Sequence, residues 1–418
     1  MKLVLVNTGI NKSSAPYRLC EAINKKGIEA ELLVAETELE ETRIHKVKKT
    51  SWYRFFRKLD TLLFKVENKL LYQKRGKLPF SFYRIGMDIS KEEVIQEADI
   101  VVLNWVCGNF ISPYGIRKLI KKNKRIMLIC HDNWHFTGGC HVRMGCERFM
   151  NECGNCPELH SKYKNDCSNR MFKLKRKCFS KGKMIIVSPS RWMDDNVKRS
   201  ALLYDFPHYI IPNTLNTNLF RPIGKKLLRE KYEISDDSLV LAFGAINAVS
   251  TSYKGYKELK EALLILEHNL KKNQQIEVII FGDSKVQKNA GNFKVHFTGY
   301  LTQEEMVELY NSADIYIVPS LEDSFNYTVA ESLACETPVV AFKTGGIVDI
   351  IDHKVNGYLS EYRDVEDLAA GIQWVIDNNQ NNCLGKQGRA KVIKDFSYDI
   401  VATKFITLCE DFLDNSGE

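Results

Sequence analysis

The stretch PSLEDSFNYTVAESLACETPVVA, residues 319–341, indicates the fold of this chain more clearly than any other segment. The apolar run before it, residues 315–318, is typical of a buried parallel strand, and residues 325–330 predict the first turns of a helix. A second apolar run, residues 339–342, follows a Thr-Pro turn. The stretch therefore predicts one β-α-β unit, and open parallel sheets bind ligands where their strands end.

Two acids in this stretch, Asp323 and Glu331, lie eight residues apart, slightly more than two helical turns, and so near one face. Asp323 lies in the loop that enters the helix, and Glu331 lies inside it. Amide groups at a helix start attract phosphate, while carboxylates accept hydrogen bonds from hydroxyl groups. The arrangement suits a nucleotide sugar. The alternative is an amphipathic helix with solvated acids, and the surrounding β-α-β pattern argues against it.

These residues resemble the donor-site motif of glycosyltransferase family 4, whose members are retaining enzymes of the GT-B architecture. The resemblance implies that Glu331 binds the ribose hydroxyls of the donor nucleotide. It also implies that Asp323, where the family usually has Glu, contacts the donor sugar, with Glu322 as the alternative. The diphosphate would lie against the start of the helix, formed by Phe325, Asn326, Tyr327 and Thr328.

Further donor-site candidates lie earlier in the second half of the chain. Gly244 ends a predicted strand, and a Lys-Gly pair follows ten residues later. The resemblance implies that its lysine, Lys254, is the second of two cations that contact the donor diphosphate in the family, whereas Ala245 and Ala248 stand where the first cation is expected. Tyr300 follows another predicted strand and is a candidate for a backbone contact to the base. A simple turn explains Tyr300 equally well.

In the first half, His131 and Asp132 follow the predicted strand 126–130. A lone histidine is usually structural, but the end of a parallel strand is where ligands bind. The resemblance implies that His131 approaches the donor sugar from the acceptor side. Asp132 would orient His131 or contact the acceptor. The early loop, residues 8–14, lacks the paired glycines common in the family.

The 418 residues alternate short apolar strands with helices in two successive series. This pattern predicts an α/β protein with two doubly wound Rossmann-like domains facing across a cleft, which is the GT-B architecture. We expect an acceptor-side domain at 1–215 with a Cys-rich insertion at 138–167. A nucleotide-sugar-binding domain would occupy 216–395. The terminal helix, 396–418, would cross back onto the first domain.

Four cysteines fall within seventeen residues of the first half: Cys140, Cys146, Cys153 and Cys156. Their spacing is compatible with a structural tetrahedral zinc, with His141 or His160 able to replace one ligand, and equally with a reduced, packed loop. No catalytic cofactor is expected. The stretch 131–157 resembles a subgroup of family 4 enzymes from bacterial surface-polysaccharide synthesis.

Charge is divided unevenly along the chain. Residues 1–220 carry 39 Lys and Arg against 22 Asp and Glu, whereas residues 221–418 carry 21 against 30. Residues 43–77 hold twelve cations and two acids. Their apolar residues have helical spacing, and the pattern fits either a helix on an anionic bilayer surface or a core-packed helix with a solvated basic face. These apolar residues are Trp52, Phe55, Phe56, Leu59, Leu62, Leu63, Val66 and Leu70.

Together with the resemblance to family 4, these patterns predict a retaining glycosyltransferase that moves a sugar from a nucleotide-diphosphate donor to a hydroxyl of a lipid-linked saccharide. The resemblance implies that this saccharide belongs to a bacterial capsule or lipopolysaccharide. The chain has no signal-peptide pattern and no apolar run near the roughly 20 residues that span a bilayer. We therefore expect a cytoplasmic enzyme, peripheral at the inner membrane face, that binds no nucleic acid. One alternative is a GT-B-type nucleotide-sugar epimerase. A zinc-containing nucleic-acid binder is another, but it leaves the predicted phosphate and ribose site unexplained.

Overall fold

The computed structural model describes residues 1–71, 76, 78–179, 183–224, 226–269, 275–283 and 293–414. The chain divides into two compact units. The first unit comprises Met1–Thr214 and the C-terminal residues from Val401 onward, and the second unit comprises Leu215–Ile400. Among the helices that the structure describes, none combines the length and apolar character needed to cross a bilayer.

The first unit contains a seven-stranded parallel sheet in the order β3-β2-β1-β4-β5-β6-β7. Its inner strands are almost completely buried, as expected when helices cover both faces of a parallel sheet. The chain adds strands on one side of β1, through β2 to β3, and then continues on its other side, from β4 to β7. The carboxyl ends of β1 and β4 therefore flank a topological switch point. The strands are β1 Lys2–Gly9, β2 Glu29–Glu36, β3 Ile44–Lys46, β4 Ile100–Leu103, β5 Arg125–Ile129, β6 Met184–Ser188 and β7 His208–Ile210.

Helices cover this sheet, and the C-terminal helix α14 adds to its core. Phe405, Leu408 and Cys409 of α14 are buried in one cluster with Leu5 and Val102 of the strands. The helices of the first unit are α1 Ala15–Lys25, α2 Ser51–Leu71, α3 Glu93–Glu97, α4 Pro113–Lys121, α5 Cys167–Phe179 and α6 Arg191–Lys198, with α14 at Tyr398–Asp414.

The second unit contains a six-stranded parallel sheet in the order β10-β9-β8-β11-β12-β13. Here the chain adds β9 and β10 on one side of β8 and β11 to β13 on the other. The loops after β8 and β11 therefore flank a second switch point. The strands are β8 Leu239–Gly244, β9 Ile276–Phe281, β10 Lys294–Gly299, β11 Ile315–Val318, β12 Val339–Phe342 and β13 Gly357–Ser360.

The helix α9 carries the capping box that the sequence pattern Thr302-x-x-Glu305 indicates. The Thr302 hydroxyl accepts the Glu305 amide, and the Glu305 carboxylate accepts the Thr302 amide at 2.9 Å. The helices of the second unit are α7 Lys226–Lys231, α8 Tyr256–Asn269, α9 Gln303–Ser312, α10 Tyr327–Ala334, α11 Ile347–Ile350, α12 Val365–Asn378 and α13 Cys383–Phe396.

Replacing Phe405 by Ala tests the contribution of α14 to the first unit. Phe405 is fully buried, so its truncation leaves a cavity, and we expect the free energy of unfolding to fall by about 3–5 kcal/mol. Urea denaturation measures this change. The neighbouring exposed Lys404 provides the control variant Lys404→Ala. A loss below about 1 kcal/mol for Phe405→Ala would contradict the placement of α14.

Candidate functional site

The loop after β11 and the start of α10 are held together by Asn326. This residue has a left-handed backbone (φ 74°) and caps α10 by accepting the Val329 amide at 3.1 Å. Its side-chain oxygen also accepts the Thr328 hydroxyl at 2.7 Å. The helix begins at Tyr327, two residues later than the sequence pattern predicts. Phe325 therefore precedes the helix, and its side chain is buried in the core.

An ion pair lies beside this helix start. The ammonium of Lys254 is 2.8 Å from a carboxylate oxygen of Asp323, and the same oxygen accepts the side-chain amide of Asn326 at 3.0 Å. Burial alone would lower the pKa of Lys254, but the charge of Asp323 outweighs it and the net pKa is raised. Asp323 is predicted from sequence to contact the donor sugar. It therefore also holds Lys254, the lysine that is predicted to contact the diphosphate.

Two glycines allow this close packing. Gly255, directly after Lys254, has φ 78°, and a Cβ there would come within 1.8 Å of the Pro319 carbonyl oxygen. Gly345 has φ 55°, and a Cβ there would come within 2.0 Å of the Asp323 carbonyl oxygen. Both positions require glycine on steric grounds as well as for backbone conformation.

Glu331 lies within α10 and is only 5% exposed. One of its carboxylate oxygens accepts the hydroxyl of Tyr310 at 3.2 Å. Burial, and then the charge of Glu331, raise the pKa of Tyr310 well above its ordinary value, so this phenol stays protonated and remains a donor. Glu331 is thus held inside the second unit and does not point into bulk solvent.

Tyr316 of β11 links the predicted residues to each other. Its hydroxyl donates to the carbonyl oxygen of Gly244 at 2.8 Å, which joins β11 to the end of β8. Burial raises the pKa of Tyr316, and the charges of Glu331 and Asp323 add to that effect. No motif in the sequence pointed to Tyr310 or Tyr316. The one available signal was a tyrosine inside the otherwise aliphatic run IYIV.

Tyr300 belongs to a different group of loops. Its hydroxyl donates to the side chain of Asn247 at 2.9 Å, and the ring is 58% exposed. The amide of Asn247 donates to Gly282 and the amide of Gly282 donates to Gly299, at 2.6 and 2.7 Å. The loops after β8, β9 and β10 are therefore bonded together, and Tyr300 belongs to this group.

In the first unit, His131 is oriented by Asn104, which follows β4. The His131 Nε2 is 2.9 Å from the side-chain oxygen of Asn104, and the His135 Nε2 is 2.9 Å from the Asn104 carbonyl oxygen. Burial lowers the pKa of each histidine to about 4, so both rings are neutral near pH 7. Both side-chain positions are set by contacts that the sequence analysis missed.

Asp132 does not bond to His131 but belongs to a separate polar chain. Its carboxylate is 2.6 Å from His141 Nδ1, and His141 Nε2 is 2.7 Å from the Ser81 hydroxyl. The indole N–H of Trp105 also donates to Asp132, at 2.9 Å. Burial alone would raise the pKa of Asp132, but the contact with His141 holds it below its usual range. The sequence interpretation that Asp132 orients His131 is wrong in this respect.

The cysteine cluster is present as a set of free thiols. Burial, and to a smaller extent the neighbouring thiols, raise the pKa of Cys153 to about 12 and that of Cys156 to about 11. Burial, with a smaller contribution from neighbouring thiols that include Cys146, also raises the pKa of Cys140. Within the described residues, however, no group of three or more His, Cys, Asp or Glu side chains is arranged to hold a metal ion. Zinc binding therefore stays a prediction.

Known proteins that resemble this chain bear on its activity. Residues 225–391 match the family model Glycosyl transferases group 1. An uncharacterized glycosyltransferase of Methanocaldococcus jannaschii is 25% identical over 304 residues, 69% of this chain and 76% of that protein. Another, from Haemophilus influenzae, is 23% identical over 325 residues, 75% of this chain and 78% of that protein. This chain is a glycosyltransferase. The matched region contains every donor-site residue described above for the second unit.

Solved structures show the fold of this glycosyltransferase. Sucrose-phosphate synthase from Thermosynechococcus elongatus superposes with a TM-score of 0.67 at 15% identity, covering 99% of this chain and 100% of that chain. Anabaena HepE in complex with UDP and glucose gives a TM-score of 0.65 at 15% identity, covering 98% and 99%. The predicted fold class, GT-B with two parallel-sheet Rossmann-like domains, is confirmed.

The neutral rings of His131 and His135 predict a pH dependence of stability. Their folded-state pKa of about 4 lies below the value of about 6.5 for an unfolded chain. The unfolded state therefore binds more protons, and stability falls as pH drops from about 6.5 towards 4. We expect a loss of about 1–3 kcal/mol per pH unit between pH 6.5 and 5, measured by urea unfolding.

Two variants separate this effect from other groups. His135→Asn should reduce the slope by about half, because one of two titrating rings is removed. His268→Gln changes an exposed histidine of α8 and should leave the slope unchanged. Equal free energies of unfolding at pH 6.5 and 5.0 in the unmodified protein would refute the assignment of neutral rings to these two histidines.

Proposed function

We propose that this enzyme is a retaining glycosyltransferase that moves a sugar from a nucleotide-diphosphate donor to a hydroxyl of a lipid-linked saccharide. One observation carries the proposal: Lys254, Asp323 and Asn326 meet at the start of α10, beside the switch point of the sheet and inside the family match. Anabaena HepE, which shares the fold, is described in complex with UDP-glucose, and this supports a nucleotide-sugar donor here.

In this proposal the donor diphosphate lies at the first turn of α10. The partial positive charge of the helix start and the ammonium of Lys254 stabilise the negative charge that grows on the departing diphosphate. Because Asp323 fixes the Lys254 ammonium at 2.8 Å, the cation is in position before the donor arrives. Glu331 accepts hydrogen bonds from the ribose hydroxyls, with Tyr310 holding the carboxylate in place.

The sugar is transferred with retention of configuration. The bond from the anomeric carbon to the diphosphate oxygen breaks while positive charge spreads over the sugar ring. The acceptor hydroxyl forms the new bond from the side of the leaving group, and a phosphate oxygen takes its proton. No residue of the chain is assigned as a nucleophile. His131, held by Asn104 in the first unit, is the candidate for the acceptor-side residue.

The acceptor belongs to the synthesis of a bacterial surface polysaccharide, and the enzyme works at the cytoplasmic face of the plasma membrane. Two features support this part of the proposal. Residues 131–157 resemble enzymes of capsule and lipopolysaccharide synthesis. The first 220 residues carry a surplus of cations, 39 against 22 acids, which suits an anionic surface.

Replacing Glu331 by Gln tests the donor site. The change keeps the shape of the side chain but removes the charge that strengthens hydrogen bonds to hydroxyl groups, a loss of about 1.5–3 kcal/mol. We expect turnover to fall about 10- to 100-fold, measured as nucleoside diphosphate release in a screen of nucleotide sugars with and without lipid acceptors.

Glu304→Gln, which changes an exposed carboxylate of α9, is the matched control and should keep full activity. Thermal unfolding of both variants separates a loss of function from a loss of fold. Turnover of Glu331→Gln close to that of the unmodified enzyme would remove Glu331 from the donor site.

We also propose that the cysteine cluster takes up a structural zinc ion that plays no part in the reaction. If so, purified protein should contain about one zinc per chain by elemental analysis. Cys153→Ser should lose the metal, whereas the control Cys383→Ser, at an exposed cysteine, should keep it. Metal-free protein that is fully folded would contradict the proposal.

A further inference from the structure

Helix α2 is attached to the first unit by one narrow side. Tyr53 donates to the Asn109 carbonyl oxygen at 2.7 Å, and Asp60 accepts the amide of Arg84 at 2.8 Å. Further along, Phe64 contacts the ring of Phe82 and Glu67 pairs with Arg170. Four side chains of α2, spaced seven, four and three residues apart, therefore fix the helix to the body of the unit.

A second side of α2 is apolar and faces solvent. Seven large side chains on it are between 37% and 73% exposed. At about 100° per residue they fall within an arc of about 120°, and they extend along about 21 Å of the helix. They are Trp52, Phe55, Phe56, Leu59, Leu62, Leu63 and Val66. We call this set the apolar stripe.

The alternative prediction, a helix whose apolar residues pack into a core, is wrong for the seven residues of the apolar stripe, because they are exposed. Of the predicted basic segment 43–77, the side chain of Leu70 and the residues 72–75 and 77 lie outside the described residues. The rings of Trp52 and Phe56 stack at 5.6 Å, and Phe55 meets Phe56 edge-on at 5.4 Å. The start of the stripe is thus an aromatic cluster, the type of side chain favoured at bilayer interfaces.

A third side of α2 is cationic. Its exposed cations are Arg54, Arg57, Lys58, Lys65 and Lys69. The only two acids in the sequence of α2, Asp60 and Glu67, are both turned towards the body, where they pair with arginines. The outward surface of the helix therefore combines apolar and positively charged groups.

This charge distribution favours an anionic lipid surface over a second copy of the chain as the partner of the apolar stripe. A second copy of the chain, seated stripe against stripe, would bring like charges together along both helices, which is destabilising. An anionic lipid surface instead accepts the apolar side chains among its acyl chains and the cations among its headgroups.

We propose that α2 is a membrane-docking helix that lies in the plane of an anionic phospholipid leaflet with the apolar stripe inserted. The inference rests on the proposed function only in that the lipid-linked acceptor lies in the same bilayer. Because α2 would lie in the plane of the leaflet and not span it, attachment through α2 is peripheral and reversible.

The full-length protein should therefore float with vesicles of phosphatidylcholine and phosphatidylglycerol (7:3) but not with vesicles of phosphatidylcholine alone. Phe55→Ser/Leu59→Ser/Leu62→Ser should weaken binding at least about 100-fold, since each removes a buried apolar side chain from the leaflet. All three residues are solvent-exposed, so the variant should fold normally. The control Leu264→Ser/Ile393→Ser changes exposed apolar residues of the second unit and should bind like the unmodified protein.

Removal of charge is tested separately. Arg57→Gln/Lys58→Gln/Lys65→Gln should weaken binding about five-fold per cation, and added salt should weaken the unmodified protein in the same way. The control Lys257→Gln/Lys386→Gln/Lys394→Gln removes three exposed cations of the second unit and should have no such effect.

Nucleoside diphosphate release without vesicles distinguishes this inference from the proposed function. If the unmodified enzyme releases nucleoside diphosphate yet fails to bind the anionic vesicles, the docking helix is refuted and the function stands. Vesicle binding that depends on the stripe, without turnover of any donor, would refute the function and leave the docking helix. Light scattering tests for a dimer. If the unmodified protein is a dimer that does not bind vesicles, and the triple-serine variant is a monomer, the stripe is an interface with a second copy and the inference is overturned.

Discussion

The ion pair between Lys254 and Asp323 is the contact on which the candidate donor site depends. It joins the loop after β8 to the loop after β11 across the switch point, and Asn326 adds the cap of α10 to the same carboxylate oxygen. A charge pair that is partly removed from water is strong only when its geometry is fixed. Gly255 and Gly345 supply that geometry, because any side chain there would collide with the backbone.

Much of this arrangement could be predicted from sequence, since it follows from local pattern. Buried parallel strands are short apolar runs, and the capping box of α9 is defined by two residues three apart. The contacts of Tyr310, Tyr316 and Asn104 could not, because each joins residues more than twenty positions apart. For the same reason the sequence offered two roles for Asp132, orienting His131 or contacting the acceptor, and did not indicate the bond of its carboxylate to His141.

Helix α2 illustrates a further limit of sequence patterns. Helical spacing of apolar residues indicates that a helix has an apolar side, but it does not indicate what covers that side. The decisive information is the position of four residues, Tyr53, Asp60, Phe64 and Glu67, which bind the body of the first unit on a different side of the helix. Only tertiary contacts show that the stripe is left to solvent.

The inward direction of Asp60 and Glu67 has a consequence for regulation. Since both carboxylates of α2 pair with arginines of the body, neither lies among the outward cations. Residence on an anionic surface through α2 would then respond to lipid composition and to ionic strength, because salt screens the attraction between exposed charges.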